Sequence, residues 1–145
     1  MPSLYASVDI QAPRAVVWRS LIHKETWLQW NTFLYDRDPD RPFAQGRTVN
    51  LSFRRQGEEA ETEFEAKITL LQPGFCLRWV SIAPGYRSEH TFELQDIDRD
   101  RTRYTHQETL SGLITHMMLP FLRKDQQQGI RRMARQLKYF AEETF

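Results

Sequence analysis

The chain of 145 residues has a single cysteine, Cys76, so it can form no internal disulfide and no multi-cysteine zinc site. Lysine is scarce, four residues against 16 arginines. Arginine forms forked, directional bonds where lysine is a point charge. Here the surplus reads as composition and surface ion pairs rather than phosphate binding. Net charge is also lacking, at +1, which gives no general attraction to nucleic acid. The longest stretch without a charge, Thr109 to Leu122, is broken by His116 and Pro120 and is too short to span a bilayer. The opening MPSLYASVDI shows no basic segment followed by an apolar run, so no signal peptide is expected. No repeat, low-complexity tract, linker, glycine-rich phosphate loop or Ser–His–Asp motif interrupts the sequence. What these absences leave is one reduced, cytoplasmic domain over residues 1–145, long enough to bury a real core.

What is present is period. Leu4 to Ile10 alternates loosely and predicts a first strand. Pro13 suits a helix start, and Val16, Val17 and Leu21 continue a helical stripe to about His23. A second short helical turn carries Trp27 and Trp30, three residues apart and so on one face. Asp36 to Pro42 reads as a loop. From Val49 the period becomes two. Phe64, Ala66, Ile68 and Leu70 point one way, against Glu61, Glu63, Glu65 and Lys67 on the other. Turns are expected at Gln56-Gly57, Pro73-Gly74 and Pro84-Gly85, with a charged hairpin loop from Asp96 to Arg101. After Gly112 the period is helical from Ile114 to Glu143, with a kink or restart expected at Pro120. Short-turn strands followed by a long helix give an α+β antiparallel meander.

The residues Val8-x-Ile10-x-Ala12-Pro13, Val17-Trp18-x-x-Leu21 and Trp27-x-x-Trp30 resemble the opening of the START-like (SRPBCC) superfamily, in its polyketide cyclase/dehydrase and lipid-transport branch. Leu77-x-Trp79, Thr102-Arg103, Glu108 with Gly112, Leu137-Lys138 and Ala141-Glu142 continue the resemblance over the whole chain. It implies a helix-grip fold: a curved antiparallel sheet of about seven strands wrapped around a long C-terminal helix, with two short helices after strand 1. It also implies a cavity between sheet and helix for lipids, polyketides or other apolar small molecules, and no cofactor.

The inward faces carry the candidate site. Trp30, Phe64, Ile68, Trp79, Phe92, Tyr104, Met117, Phe121 and Met133 supply apolar and aromatic lining of the kind that adapts to different ligand shapes. If Leu94 lies opposite Tyr104, then Phe92 faces His106 and His90 faces Glu108. That register sets two imidazoles and a carboxylate on the concave side, where they need partners. Three roles follow for His90, His106 and Glu108: a satisfied structural cluster, a polar anchor for a ligand, or general acid–base catalysis. The corresponding functions are binding or carriage of an apolar molecule, a cyclase or dehydratase acting on a polyketide-like substrate, and a protein-interaction module with a filled core. Binding is the leading reading. Two His and one carboxylate also match an iron or zinc set, but strand positions alone do not give that geometry, and no metal is expected.

Other features read as structural. Asp36, Asp38 and Asp40 alternate without the glycine and glutamate of a calcium loop. Cys76 lies opposite Leu77 and Trp79 with no activating base. From Ile114 to Ala141, Arg123, Lys124, Arg131, Arg132, Arg135 and Lys138 stand against Asp125 alone. They read as a solvated face or, alternatively, as transient docking on an anionic membrane surface or an acidic protein.

Overall fold

The structure is a computed structural model that describes residues 3–55, 60–112 and 120–145. The expectations for Gln56-Gly57, Met117, the Phe121 side chain and the helix before Pro120 lie outside the described residues. Strands β1 (Ser3–Ile10), β2 (Leu34–Asp36), β3 (Thr48–Phe53), β4 (Thr62–Gln72), β5 (Cys76–Ala83), β6 (Tyr86–Asp98) and β7 (Arg101–Ser111) form one antiparallel sheet. Its order is β1-β7-β6-β5-β4-β3-β2, and it curls into a half-barrel. The first helix (Arg14–Ile22) and a 3-10 helix (Lys24–Gln29) carry the chain from β1 to β2, at the opposite edge. The C-terminal helix (Pro120–Thr144), about 37 Å long at 1.5 Å per residue, packs against β1 and the first helix.

Period two explains the sheet faces. Ile10, Leu51, Ala66, Ile68, Leu77, Trp79, Phe92, Leu94, Tyr104 and Leu110 are buried on the concave side. On the helix the matching stripe is Ile130, Met133, Ala134, Leu137 and Ala141, spaced by threes and fours. The alternation breaks once in β4. A bulge between Ile68 and Leu70 sets Leu71, not Leu70, opposite Leu77 and against the core, so the expected inward position of Leu70 is corrected by one residue. Beside it the 44–47 loop takes up the strand's outer bonds: Gly46 donates to the Ile68 carbonyl, and Leu71 donates to the Gln45 side chain.

Two further corrections concern charge. Asp36 belongs to strand β2 rather than a loop, and Asp36 and Asp38 serve a buried lysine. Lys24 is 1% exposed, and its ammonium donates to Asp36 Oδ1 at 2.6 Å, the Asp38 carbonyl at 2.8 Å and Asp38 Oδ1 at 3.2 Å. Arg132 is not a solvated basic residue. Its guanidinium donates to Thr32 Oγ1 and to the carbonyls of Thr32, Arg54 and Arg55, fastening the helix to the end of β3.

Gly129 lies in the last helix where a Cβ would come within 2.5 Å of the Phe33 ring. Alanine favours an exposed helix interior over glycine by about 1 kcal/mol, but overpacking costs about 1–3 kcal/mol. Gly129→Ala is therefore expected to lower the melting temperature by several degrees, and adding Phe33→Leu to recover part of that loss. A Gly129→Ala melt above that of the wild type would contradict the close approach.

Candidate functional site

The β6–β7 hairpin builds the site. Its two-residue turn at Arg99-Asp100 is held by Asp98, which accepts from the Asp100 amide at 3.1 Å and from Arg101 Nε at 2.7 Å. A bulge between Asp96 and Asp98 then sets the expected register: Leu94 opposite Tyr104, Phe92 opposite His106, His90 opposite Glu108 and Ser88 opposite Leu110. The residue spacing of two turns Ser88, His90, His106 and Glu108 to the concave face, where all are buried.

There they form one network. Ser88 Oγ donates to Glu108 Oε2 at 2.5 Å, and His90 Nε2 lies 3.2 Å from the same oxygen. Gln126, from the C-terminal helix, donates through Nε2 to Glu108 Oε1 at 2.8 Å. His90 Nδ1 lies 2.8 Å from His106 Nε2, with one proton shared between the rings. Burial alone would raise the Glu108 pKa, but the attraction of His90 and the hydrogen bonds from His90, Ser88 and Gln126 outweigh it and bring the pKa down to about 2. His106 is driven well below the ordinary imidazole value, first by burial and then by His90, with Glu108 opposing. Glu108 is thus a carboxylate and His106 a neutral ring at pH 7. Tyr86, beside them, is pushed up to about 12 by burial and by the Glu108 charge, so it stays a phenol.

The network forms one wall of a cavity of about 40 Å³ between sheet and helix. Ser88, His90, Glu108 and Gln126 give the polar wall, with Ser81 and Tyr86; Leu34, Phe53 and Phe64 give the apolar side. Of the residues expected to line a cavity, Phe64, His90 and Glu108 do so. Ile68, Trp79, Phe92, Tyr104, His106 and Met133 lie deeper, each with 0% exposure, and do not reach this void. The reason is a packed series of rings. Trp79 stacks on Phe43 at 5.8 Å and meets Phe92 at 4.8 Å, and Phe92 meets His106 at 4.1 Å. These rings occupy the space the sequence reading left for a ligand. Trp30 stacks on Phe140 at 5.9 Å, away from the wall. Met117 and the Phe121 side chain are outside the described residues. Ser88, Gln126, Tyr86, Ser81, Leu34 and Phe53 were not expected at the site. Gln126 alone had a readable signal: with Ile130, Met133, Leu137 and Ala141 it continues the buried stripe, a polar residue at an apolar position.

A larger groove of about 690 Å³ runs over Asp36, Arg37, Asn50, Glu63 and Glu65, but it is open and charged and holds no member of the network. Among the described residues, no three His, Cys, Asp or Glu side chains converge as metal ligands. Among them, too, no helix is long and apolar enough to cross a membrane. Cys76 is buried, and burial raises its thiol pKa.

The curled antiparallel sheet, the two short helices after its first strand and the C-terminal helix packed against it form the α+β helix-grip fold that the sequence resemblance implied. No known family profile and no curated protein matches the sequence significantly. Solved structures match by fold. A protein from Arthrobacter aurescens superposes with a TM-score of 0.75 at 15% identity, over 97% of this chain and 86% of its own. A START superfamily protein from Mycobacterium smegmatis gives 0.73 at 14% identity over 99% of each chain. The di-domain ARO/CYC BexL from the BE-7585A biosynthetic pathway gives 0.70 at 12% identity, over 96% of this chain and 46% of that one. Identities this low establish the fold alone.

The site has a pH signature. His106 stays neutral in the fold while the unfolded chain takes its proton below about 6.5, and Glu108 stays ionised while the unfolded chain takes its proton below about 4.5. Where the unfolded state binds more protons, stability rises with pH. Stability is therefore full above about pH 7 and falls on acidification, first through His106 and then through Glu108. Urea midpoints measured from pH 7.5 to 4 are expected to decline, and His106→Gln to flatten the part between pH 7 and 5. A wild-type midpoint that holds steady or rises toward pH 5 would count against a buried neutral ring.

Proposed function

We propose that the protein binds an apolar small molecule between sheet and helix, with the ligand's polar end at the Ser88–His90–Glu108–Gln126 wall and its apolar part against Leu34, Phe53 and Phe64. The observation that supports this reading is a buried polar network forming one wall of a void whose other side is apolar, in a START-like fold. Ligand sites combine these two features: apolar surface for affinity and a few placed polar groups for orientation.

Volume limits the ligand. About 10–15 Å³ of such space holds one water, so about 40 Å³ takes a group of about three heavy atoms and not a whole lipid. The rest of the molecule lies at the Phe53–Phe64 side, where both rings are half-buried and 5.9 Å apart. Acid–base chemistry of the cyclase or dehydratase type needs a histidine nitrogen or carboxylate oxygen free to face the substrate, and both oxygens of Glu108 are taken by Ser88, His90 and Gln126. Both nitrogens of His90 are engaged, and His106 is not on the wall, so binding stands ahead of catalysis.

Native mass spectrometry of gently purified protein is expected to show a retained small molecule. Saturating apolar ligand at about 100 times Kd adds about 2.7 kcal/mol, a rise of several degrees in Tm. His90→Ala is expected to weaken that binding by about tenfold or less. No retained molecule, together with no Tm shift from apolar alcohols, phenols or acids, would leave the filled-core interaction module as the better reading.

A further inference from the structure

We propose that the free edge of β1 at Ser7 captures the carboxyl terminus of an extended polypeptide, held by the Ser7 backbone and the guanidinium groups of Arg131 and Arg135. The site shares no residue with the cavity wall and does not depend on the binding reading above.

Strand β1 ends the sheet and pairs only with β7. In an antiparallel ladder alternate residues turn their backbone groups toward the partner strand and away from it. The outward residues of β1 meet the C-terminal helix. The Gln127 side chain accepts from the Tyr5 amide and donates to the Tyr5 carbonyl, Lys138 donates to the Asp9 carbonyl, and Glu142 accepts from the Gln11 amide. These bonds set the outward phase on the odd-numbered residues, so Ser7, opposite Thr105, turns its N–H and C=O outward as well. Among the described residues neither group has a partner. Unpaired groups on a sheet edge are a template for another chain.

The helix places two cations there. An open groove of about 400 Å³ is lined by Tyr5, Ala6, Ser7 and Val8 on the strand and by Arg131, Ala134 and Arg135 on the helix. Both arginines are exposed, and among the described residues neither makes an ion pair or a hydrogen bond. Like charges four apart on a helix repel. The residues three and four positions from them on the helix are Gln127, Gln128, Arg132, Ala134, Lys138 and Tyr139, none of them acidic. On the strand, the Asp9 carboxylate is taken by Arg103. The groove is therefore positive and lined by no anion of its own.

The occupant follows from the groups on offer: one N–H, one C=O and two guanidinium groups. A bare anion uses the N–H and the cations but leaves the Ser7 carbonyl unmet. The last residue of an antiparallel peptide uses all of them. Its amide N–H donates to the Ser7 carbonyl, and its carboxylate accepts from the Ser7 N–H and from the arginines, which match a carboxylate in a fork. Longer pairing is blocked, because Gln127 occupies the edge at Tyr5 and Lys138 occupies it at Asp9. The edge accepts one residue, and that residue has to be the one carrying the charge.

Titration of 15N-labelled protein at pH 7.5 with the N-acetyl tripeptide Gly-Ala-Val, as the free acid and as its C-terminal amide, tests the site. The acid is expected to move the Ser7 amide signal and to bind at least tenfold tighter than the amide form, and acetate several-fold more weakly than the acid. The double variant Arg131→Gln, Arg135→Gln, at two exposed positions, should lose that binding at least tenfold with Tm unchanged. Ser7→Pro removes the outward N–H without removing a ladder bond and should weaken the acid similarly. If it fails to fold, the arginine pair and the acid–amide comparison decide. Equal binding of acid and amide, acetate binding as tightly as the acid, or no movement of the Ser7 signal overturns the proposal. So does binding to phosphatidylglycerol vesicles, abolished by the arginine changes, in the absence of peptide binding: the two charges would then serve a membrane surface.

Discussion

A carboxylate held away from water has to be solvated by the protein, and at Glu108 that requirement joins three elements. Removing an ion from water costs several kcal/mol even after the protein relaxes, so an ionised Glu108 persists only with good donors around it. β6 supplies Ser88 and His90, β7 supplies the carboxylate, and the C-terminal helix supplies Gln126. The apolar stripe of the helix decides which face lies down but is indifferent to small slides along the sheet. A directional amide–carboxylate bond is not. Two other polar clamps act at a distance from it. Lys24 ties the 3-10 helix to β2 through Asp36 and Asp38, and Arg132 ties the last helix to the carbonyls of Thr32, Arg54 and Arg55. Each joins segments that the hydrophobic pattern alone would hold less definitely.

The parts that sequence reasoning reached are those governed by period. The β6–β7 register followed from alternation on either side of a polar turn, and it placed His90 against Glu108 and Phe92 against His106 as found. Fold class followed from the order of periods, reinforced by the resemblance. The rest depends on quantities that a one-dimensional pattern does not carry. Strand β2 is three residues long, too short to show a period. The bulge after Ile68 inserts a residue without any glycine or proline to mark it. Lys24 meets carboxylates 12 and 14 positions away, a separation with no helical or strand meaning. That aromatic residues face inward was legible; that Trp79, Phe43 and Phe92 fill the space was not, because volume is a property of the assembled layers.

The same limit applies to charge. Counting basic residues along the last helix gives a concentrated positive segment, but a count ignores direction. Arg132 is directed inward onto backbone carbonyls, and Lys138 pairs with Glu142 and donates to the Asp9 carbonyl. Arg123, Lys124, Arg131 and Arg135 remain exposed. Part of the apparent patch is internal fastening, so the charge excess overstates what a partner or a membrane would meet.

A gap beside the network has a physical origin. Methyl and ring surfaces in protein cores interdigitate to near crystal density, and here Trp79, Phe92 and His106 meet ring against ring, with centroids 4.8 and 4.1 Å apart. Hydrogen-bonded groups must keep their angles, so they cannot shift to close a space as Leu or Met would. Where the ring stack gives way to the polar cluster, between Phe53 and Phe64 on one side and Glu108 and Gln126 on the other, packing is least free to adapt. The void lies at that border. A larger apolar side chain there would complete the core, but only by crowding the directional bonds that Ser88 and Gln126 make to Glu108. A void held open by the geometry of hydrogen bonds, with apolar rings across from it, is the feature on which the proposed binding reading rests.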